Sequence, residues 1–141
     1  MKNFVDSSVF VATFYQGHIF HTPSLELFLR CTKDNACCGA HTLAEVYSFL
    51  TGAPGKDRVT REAALLFLSN VRSRFNLVTL TGNEYVDGVE WTASIGVIGG
   101  GIYDALLARC ALKAQAEIIY TWNVKHFLRL GPEIAGRVAT P

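Results

Sequence analysis

Apolar residues fall along this chain in two rhythms. Short continuous runs lie in NFV at the N-terminus, NACCGAH, NLVTL and EIIYT. Each is too brief for a helix and reads as a strand covered on both faces. GRVATP at the C-terminus predicts a last edge strand. Between the runs, apolar positions recur at helical spacing. The segment after Asp6, SSVFVATF, predicts the first helix, and TPSLELFLRCTK the second, with Thr22 as cap, Pro23 at the first helical position and Leu25, Phe28 and Leu29 on one face. HTLAEVYSFLTG reads as a helix stopped by Gly52, and VTREAALLFLSNVRSRF, TGNEYVDGVEWTAS, IYDALLARCALKAQAE and NVKHFLRL as four more, the last ended by Gly131 and Pro132. GAPGKD is the clearest loop, and GVIGGG a glycine-rich, flexible connection.

Strand and helix signals therefore alternate from one end to the other. That order predicts a three-layer α/β/α sandwich with a mostly parallel central sheet. At 141 residues the chain is expected to form a single domain, 1–141, with one substantial core. No internal repeat or low-complexity segment interrupts it.

Composition narrows the picture further. Half the residues are hydrophobic and 18% are charged, as in well-folded globular chains. Apolar stretches break well before the roughly 20 residues a membrane helix needs, and the N-terminus carries an acid where a signal peptide would be apolar. A soluble, cytoplasmic protein without a membrane partner is expected. Cys31, Cys37, Cys38 and Cys110 have neither zinc-type spacing nor disulfide-scaffold density, so they read as reduced core thiols. A formal charge of +1 advertises no overall nucleic-acid field. If acids cluster in a cleft, however, the remaining surface is net basic. Arg58, Arg61, Arg72 and Arg74 are then candidates for a phosphate-facing rim, against a plain solvated helix face.

Four polar residues stand where a predicted strand or connection passes into a helix: Asp6, Glu45, Asp104 and Asn123. In an open parallel sheet the carboxyl ends of the strands line one edge, where ligands bind at the switch in strand order. Each residue also has a plain structural use. Asp6 can cap its helix, Thr42 to Glu45 spells a capping box, Asp104 suits a helix first turn, and Asn123 can cap NVKHF. The set is harder to explain that way. Glu45 lies with His41 and Ser48 on the polar stripe of its helix, opposite Leu43, Val46 and Leu50. Carboxylates gathered in one cleft raise one another's pKa, and a divalent cation relieves that cost. Ligands that are all oxygen suit Mg²⁺ or Mn²⁺ rather than zinc.

These segments resemble the PIN-domain family, and within it the VapC-type ribonuclease toxins of prokaryotic toxin–antitoxin systems. FVDSSVFVA is similar to the first acidic motif of the family, HTLAEVYSFL to the second, GGGIYDALLARCA to the third and IIYTWNVKHF to the fourth. The resemblance spans about residues 2 to 138. It implies a metal-dependent endoribonuclease that cleaves RNA phosphodiester bonds, with Asp6, Glu45 and Asp104 holding Mg²⁺ or Mn²⁺. Asn123 would hydrogen-bond water or phosphate, and the hydroxyls of Ser7 and Thr121 would orient the carboxylates. Asn123 stands where many family members carry a fourth acid, which leaves one or two metal ions open. A cognate antitoxin that binds the acidic cleft and a homodimer are also implied.

Other residues weigh less. His18, His21, His41 and His126 form no HExxH-like pair; His41 and His126, near Glu45 and Asn123, are candidates to touch RNA. Trp91 and Trp122 have rings that stack on bases or fill a core, and Trp122 is the better placed. GVIGGG lacks both dinucleotide and Walker spacing. An Asp-based phosphatase would want a second acid two residues after Asp6, where Ser8 stands. A receiver-type domain lacks its paired acids near strand one, and a non-catalytic RNA-binding or interaction module would not need three acids.

Overall fold

A computed structural model describes residues 2–141, the Lys2 side chain excepted. β1 (Lys2–Val5) is followed by α1 (Ser7–Phe14) and α2 (His21–Arg30), then β2 (Ala36–Gly39) and α3 (Ala40–Gly52). A short 3-10 turn, Gly55–Asp57, leads to α4 (Arg61–Arg74), β3 (Asn76–Val78), α5 (Gly82–Ser94) and α6 (Gly101–Lys113). The chain ends with β4 (Ala116–Tyr120), α7 (Val124–Leu128), α8 (Pro132–Ala135) and β5 (Val138–Ala139).

The five strands form one sheet in the order β3-β2-β1-β4-β5, and every pairing is parallel. Side chains alternate across it. Val5, Ala36 and Cys38 enter a core with Phe10, Leu27, Leu50 and Phe75 from α1 through α4 and its end. Phe4, Cys37 and Ile119 enter a second core with Leu107, Phe127 and Ile134 from α6 to α8. This is the expected three-layer arrangement, with apolar strands because both faces are covered. All four cysteines are buried. Among the described residues no helix is long and apolar enough to cross a membrane.

The order reverses at β1. The chain leaves β1 toward β2 on one side, while β4 returns on the other, so the crevice between the carboxyl ends of β1 and β4 is the switch point.

Three helix starts differ from expectation. α2 begins at His21 after Phe20, with no side-chain cap, so Thr22 does not cap it. α3 begins at Ala40, directly after β2, with Gly39 at the cap position and no side-chain hydrogen bond. The expected Thr42–Glu45 capping box is therefore absent, and both Thr42 Oγ1 and Glu45 Oε1 are buried without a hydrogen-bond partner. Gly39 lets this junction press against α6: a Cβ there would lie 2.7 Å from Leu107 Cδ2, so a larger residue would require the leucine to shift. Asn123 occupies the cap position of α7 without a side-chain bond. The capping box forms instead at α5, where Glu84 N–H donates to Thr81 Oγ1 at 3.2 Å and Thr81 N–H to Glu84 Oε1 at 2.8 Å. A further short helix, α8, has Pro132 in its first turn, where the sequence suggested only a stop.

Candidate metal and phosphate site

Asp6 is the best-ordered group at the switch point. It is 1% exposed and caps α1, accepting from Ser8 N–H at 3.4 Å. Oδ2 also accepts from Ser8 Oγ at 2.8 Å and Thr121 Oγ1 at 2.9 Å, whereas Oδ1 meets only Ser7 Oγ, at 3.4 Å. The cap and the cleft are thus served by one carboxylate, with Oδ2 tied down and Oδ1 comparatively free. Thr121 fills the hydroxyl place expected for it and also accepts from Asn123 N–H at 2.9 Å. The stronger hydroxyl from α1 is Ser8 rather than Ser7. Ser8 bonds Asp6 and accepts from Trp122 N–H at 3.0 Å, tying the end of β1 to the end of β4.

Glu45 lies on α3, half-buried, where burial, then the nearby charges of Asp6 and Asp104, push its pKa from 4.5 up to about 7. Asp104 sits in the first turn of α6, and its pKa is also raised, by burial and then by Asp6. His126 and Arg129, on and just after α7, oppose that rise. His126 Nδ1 stands 3.2 Å from Asp104 Oδ2. Gly101 brings Arg129 close: a Cβ there would lie 2.5 Å from a guanidinium nitrogen. The glycine-rich segment thus serves packing as well as flexibility.

Asp6, Glu45 and Asp104 therefore feel one another's charge across one cleft. Among the described residues no group of three or more His, Cys, Asp or Glu side chains is drawn closely enough together to hold a metal ion as it stands. Burial first, and the neighbouring carboxylates second, raise the pKa values of Glu45 and Asp104. A divalent cation fits the donor set on one structural ground: Glu45 Oε1 is a buried oxygen with no partner, a state that costs about 1–3 kcal/mol unless something binds it.

The expected arginine rim divides. Arg72 and Arg74 end α4, which leads into the amino end of parallel β3, so they lie toward the edge opposite the cleft. Arg74 is occupied there with the carbonyls of Leu29 and Cys31. Arg58 donates to the Ala53 carbonyl at 3.1 Å. The basic side chains that oppose the raised pKa of Asp104 are His126 and Arg129, whose i, i+3 spacing behind Asn123 was the signal available in the sequence.

A model of the PIN domain matches residues 4–131. The chain belongs to the PIN-domain family. This PIN-domain protein is 32% identical over 114 residues to Ribonuclease VapC40 of Mycobacterium tuberculosis, 81% of each chain. It is 31% identical over 114 residues to Ribonuclease VapC27 of the same organism, 81% of this chain and 80% of that one. Two solved structures share its fold. One is M. tuberculosis VapC20, described as a Sarcin-Ricin loop cleaving toxin, with TM-score 0.72 and 17% identity over 89% of this chain and 92% of that one. The other is VapBC2 from Rickettsia felis bound to a DNA fragment from their promoter, with TM-score 0.69 and 20% identity over 100% and 99%.

Proposed function

We propose that this PIN-domain protein is a metal-dependent endoribonuclease, the toxin of a toxin–antitoxin pair, like the VapC ribonucleases it resembles. The observation that carries the reading is the mutual charge coupling of Asp6, Glu45 and Asp104 beside an unpartnered buried oxygen of Glu45. Asp6 through Oδ1, Glu45 through Oε1 and Asp104 would hold Mg²⁺ or Mn²⁺. When bound, the cation supplies a Lewis acid that acidifies water and neutralises phosphate charge.

The protein's own groups do the rest. Thr121 and Ser8 fix Asp6 by holding Oδ2, so Oδ1 keeps one orientation toward the cleft. Ser7 adds a longer contact to the same carboxylate. Asn123, exposed at the start of α7, offers an amide N–H to water or a phosphate oxygen. His126 and Arg129 stand on the Asp104 side, where the Arg129 guanidinium offers a phosphodiester positive charge. Hydrolysis is by water, and no side chain forms a covalent bond to phosphorus.

Partners follow from the same reading. RNA is the substrate. A cognate antitoxin would cover the acidic cleft, the assembly would be built on a homodimer, and the setting would be the prokaryotic cytoplasm. Cleavage of single-stranded RNA with Mg²⁺ or Mn²⁺, stopped by EDTA and absent from Asp104→Asn, tests it. RNA retained uncut with the metal present would mark a binding module instead.

A further inference from the structure

Beside the carboxylates lies a hollow of about 450 Å³ with a mixed polar and aromatic lining. Polar Ser7, Ser8, Glu45 and Asn123 and aromatic Phe20, Phe49 and Trp122 line it together with Val11 and His18. Phe20 and Trp122 lie face to face, ring centres 3.8 Å apart and 6° from parallel. Phe20 is 36% exposed and Phe49 is 55% exposed, so aromatic carbon faces solvent at the rim of a charged cleft.

The Trp122 ring is held from three directions. Its backbone N–H donates to Ser8 Oγ at 3.0 Å, its indole N–H donates to the buried Ser24 hydroxyl at 2.8 Å, and its face rests on Phe20. Ser8 is also the hydroxyl that fixes Asp6. One hydroxyl, Ser8, therefore bonds both the backbone that carries the Trp122 ring and the carboxylate that begins the cleft.

Flat, rigid, sequence-tolerant ring surfaces are how proteins hold unpaired bases. We propose that the Phe20–Trp122 stack, with Phe49 lining the same hollow, is a base-docking site that seats one unpaired nucleobase of a single-stranded RNA next to the phosphate to be cut. The proposal rests on the nuclease reading and adds which residues grip the substrate. Continuity decides the occupant: a nucleotide whose base lies on the stack brings its own phosphate into the same hollow, which Glu45 and Asn123 also line. The hollow is also of a size that suits one small ligand group. A paired duplex would keep its bases stacked on each other and gain nothing from the wall.

Binding can be read apart from cleavage. Asp104→Asn protein in Mg²⁺ would be titrated with random-sequence single-stranded RNA octamers and with an abasic ribose-phosphate chain of the same length. Adding Phe20→Ala is expected to weaken octamer binding about tenfold or more, the loss typical of one base–aromatic stack, and to leave abasic binding nearly unchanged. Phe20→Tyr should restore it, because the stack survives. In a Trp91→Phe background the octamers should quench Trp122 emission, and the abasic chain should not. Equal octamer affinity with and without Phe20, or equal loss for the abasic chain, overturns the proposal. Loss of metal-dependent cleavage in the otherwise unaltered protein would instead defeat the nuclease reading, whatever the octamers do.

Discussion

Ser8 and Ser7 are adjacent, yet the structure gives them unequal duties. Ser8 Oγ donates at 2.8 Å to Asp6 and accepts from the Trp122 amide, while Ser7 Oγ reaches Asp6 only at 3.4 Å. Ser8→Ala leaves a backbone N–H without its partner and should cost about 1–3 kcal/mol in urea unfolding. Ser7→Ala should cost less than about 0.5 kcal/mol. Glu45 allows a sharper separation. With no partner on Oε1 and a pKa raised to about 7, its charge is a burden to the metal-free fold. Glu45→Gln should therefore raise the melting temperature in EDTA at pH 8 and also abolish metal-dependent RNA cleavage. A capping role alone would leave activity intact, since glutamine serves a capping box equally well.

The same group sets a pH dependence. Its folded pKa lies above its ordinary value of 4.5, so between pH 4.5 and about 7 the folded state binds the extra proton. Metal-free stability from this source is full below pH 4.5 and is lost as pH rises through 7. Mg²⁺ needs the ionised form, so its stabilising effect should grow over the same interval. Thermal melts in EDTA and in Mg²⁺ at pH 5, 6, 7 and 8 check both trends.

At the scale of elements, glycines decide where the acids sit. Gly101 is buried at the start of α6, and a Cβ there would meet both Arg129 and Val97 Cγ1 at 2.5 Å. Gly101→Ala should shift the α6 start that carries Asp104, lowering RNA cleavage at least tenfold, as a misplacement near 1 Å commonly does. A cleavage assay beside a circular-dichroism spectrum checks that the fold survives.

Element types were legible because their cause is local: buried strands are continuous apolar runs and helices carry a repeating face. Helix starts were less so. Thr22 and Thr42 look like caps in sequence, but the helices start at His21 and Ala40, after Phe20 and Gly39 with no side-chain cap, and Gly39 lies close against Leu107 of α6. All four candidate positions, Asp6, Glu45, Asp104 and Asn123, were read from motif order in the sequence. The Asp104–His126 pair could not, because it depends on how α6 and α7 lie against each other.

For the whole molecule, strand order does the assembling. Asp6 leaves β1, Thr121 and Asn123 leave β4, and the reversal between these strands puts distant residues into one crevice. Glu45 from α3 and Asp104 from α6 approach it from opposite faces of the sheet, since α3 packs in the β1 side core with Val5 and α6 in the other with Phe4. The near-neutral total charge conceals this gathering of acids. The central claim is that one cation bridges them. Crystals soaked in Mn²⁺ and measured for anomalous scattering should show a peak bonded to oxygens of Asp6, Glu45 and Asp104 together. Bound Mn²⁺ that touches none of the three, in a protein that still cuts RNA, would contradict it.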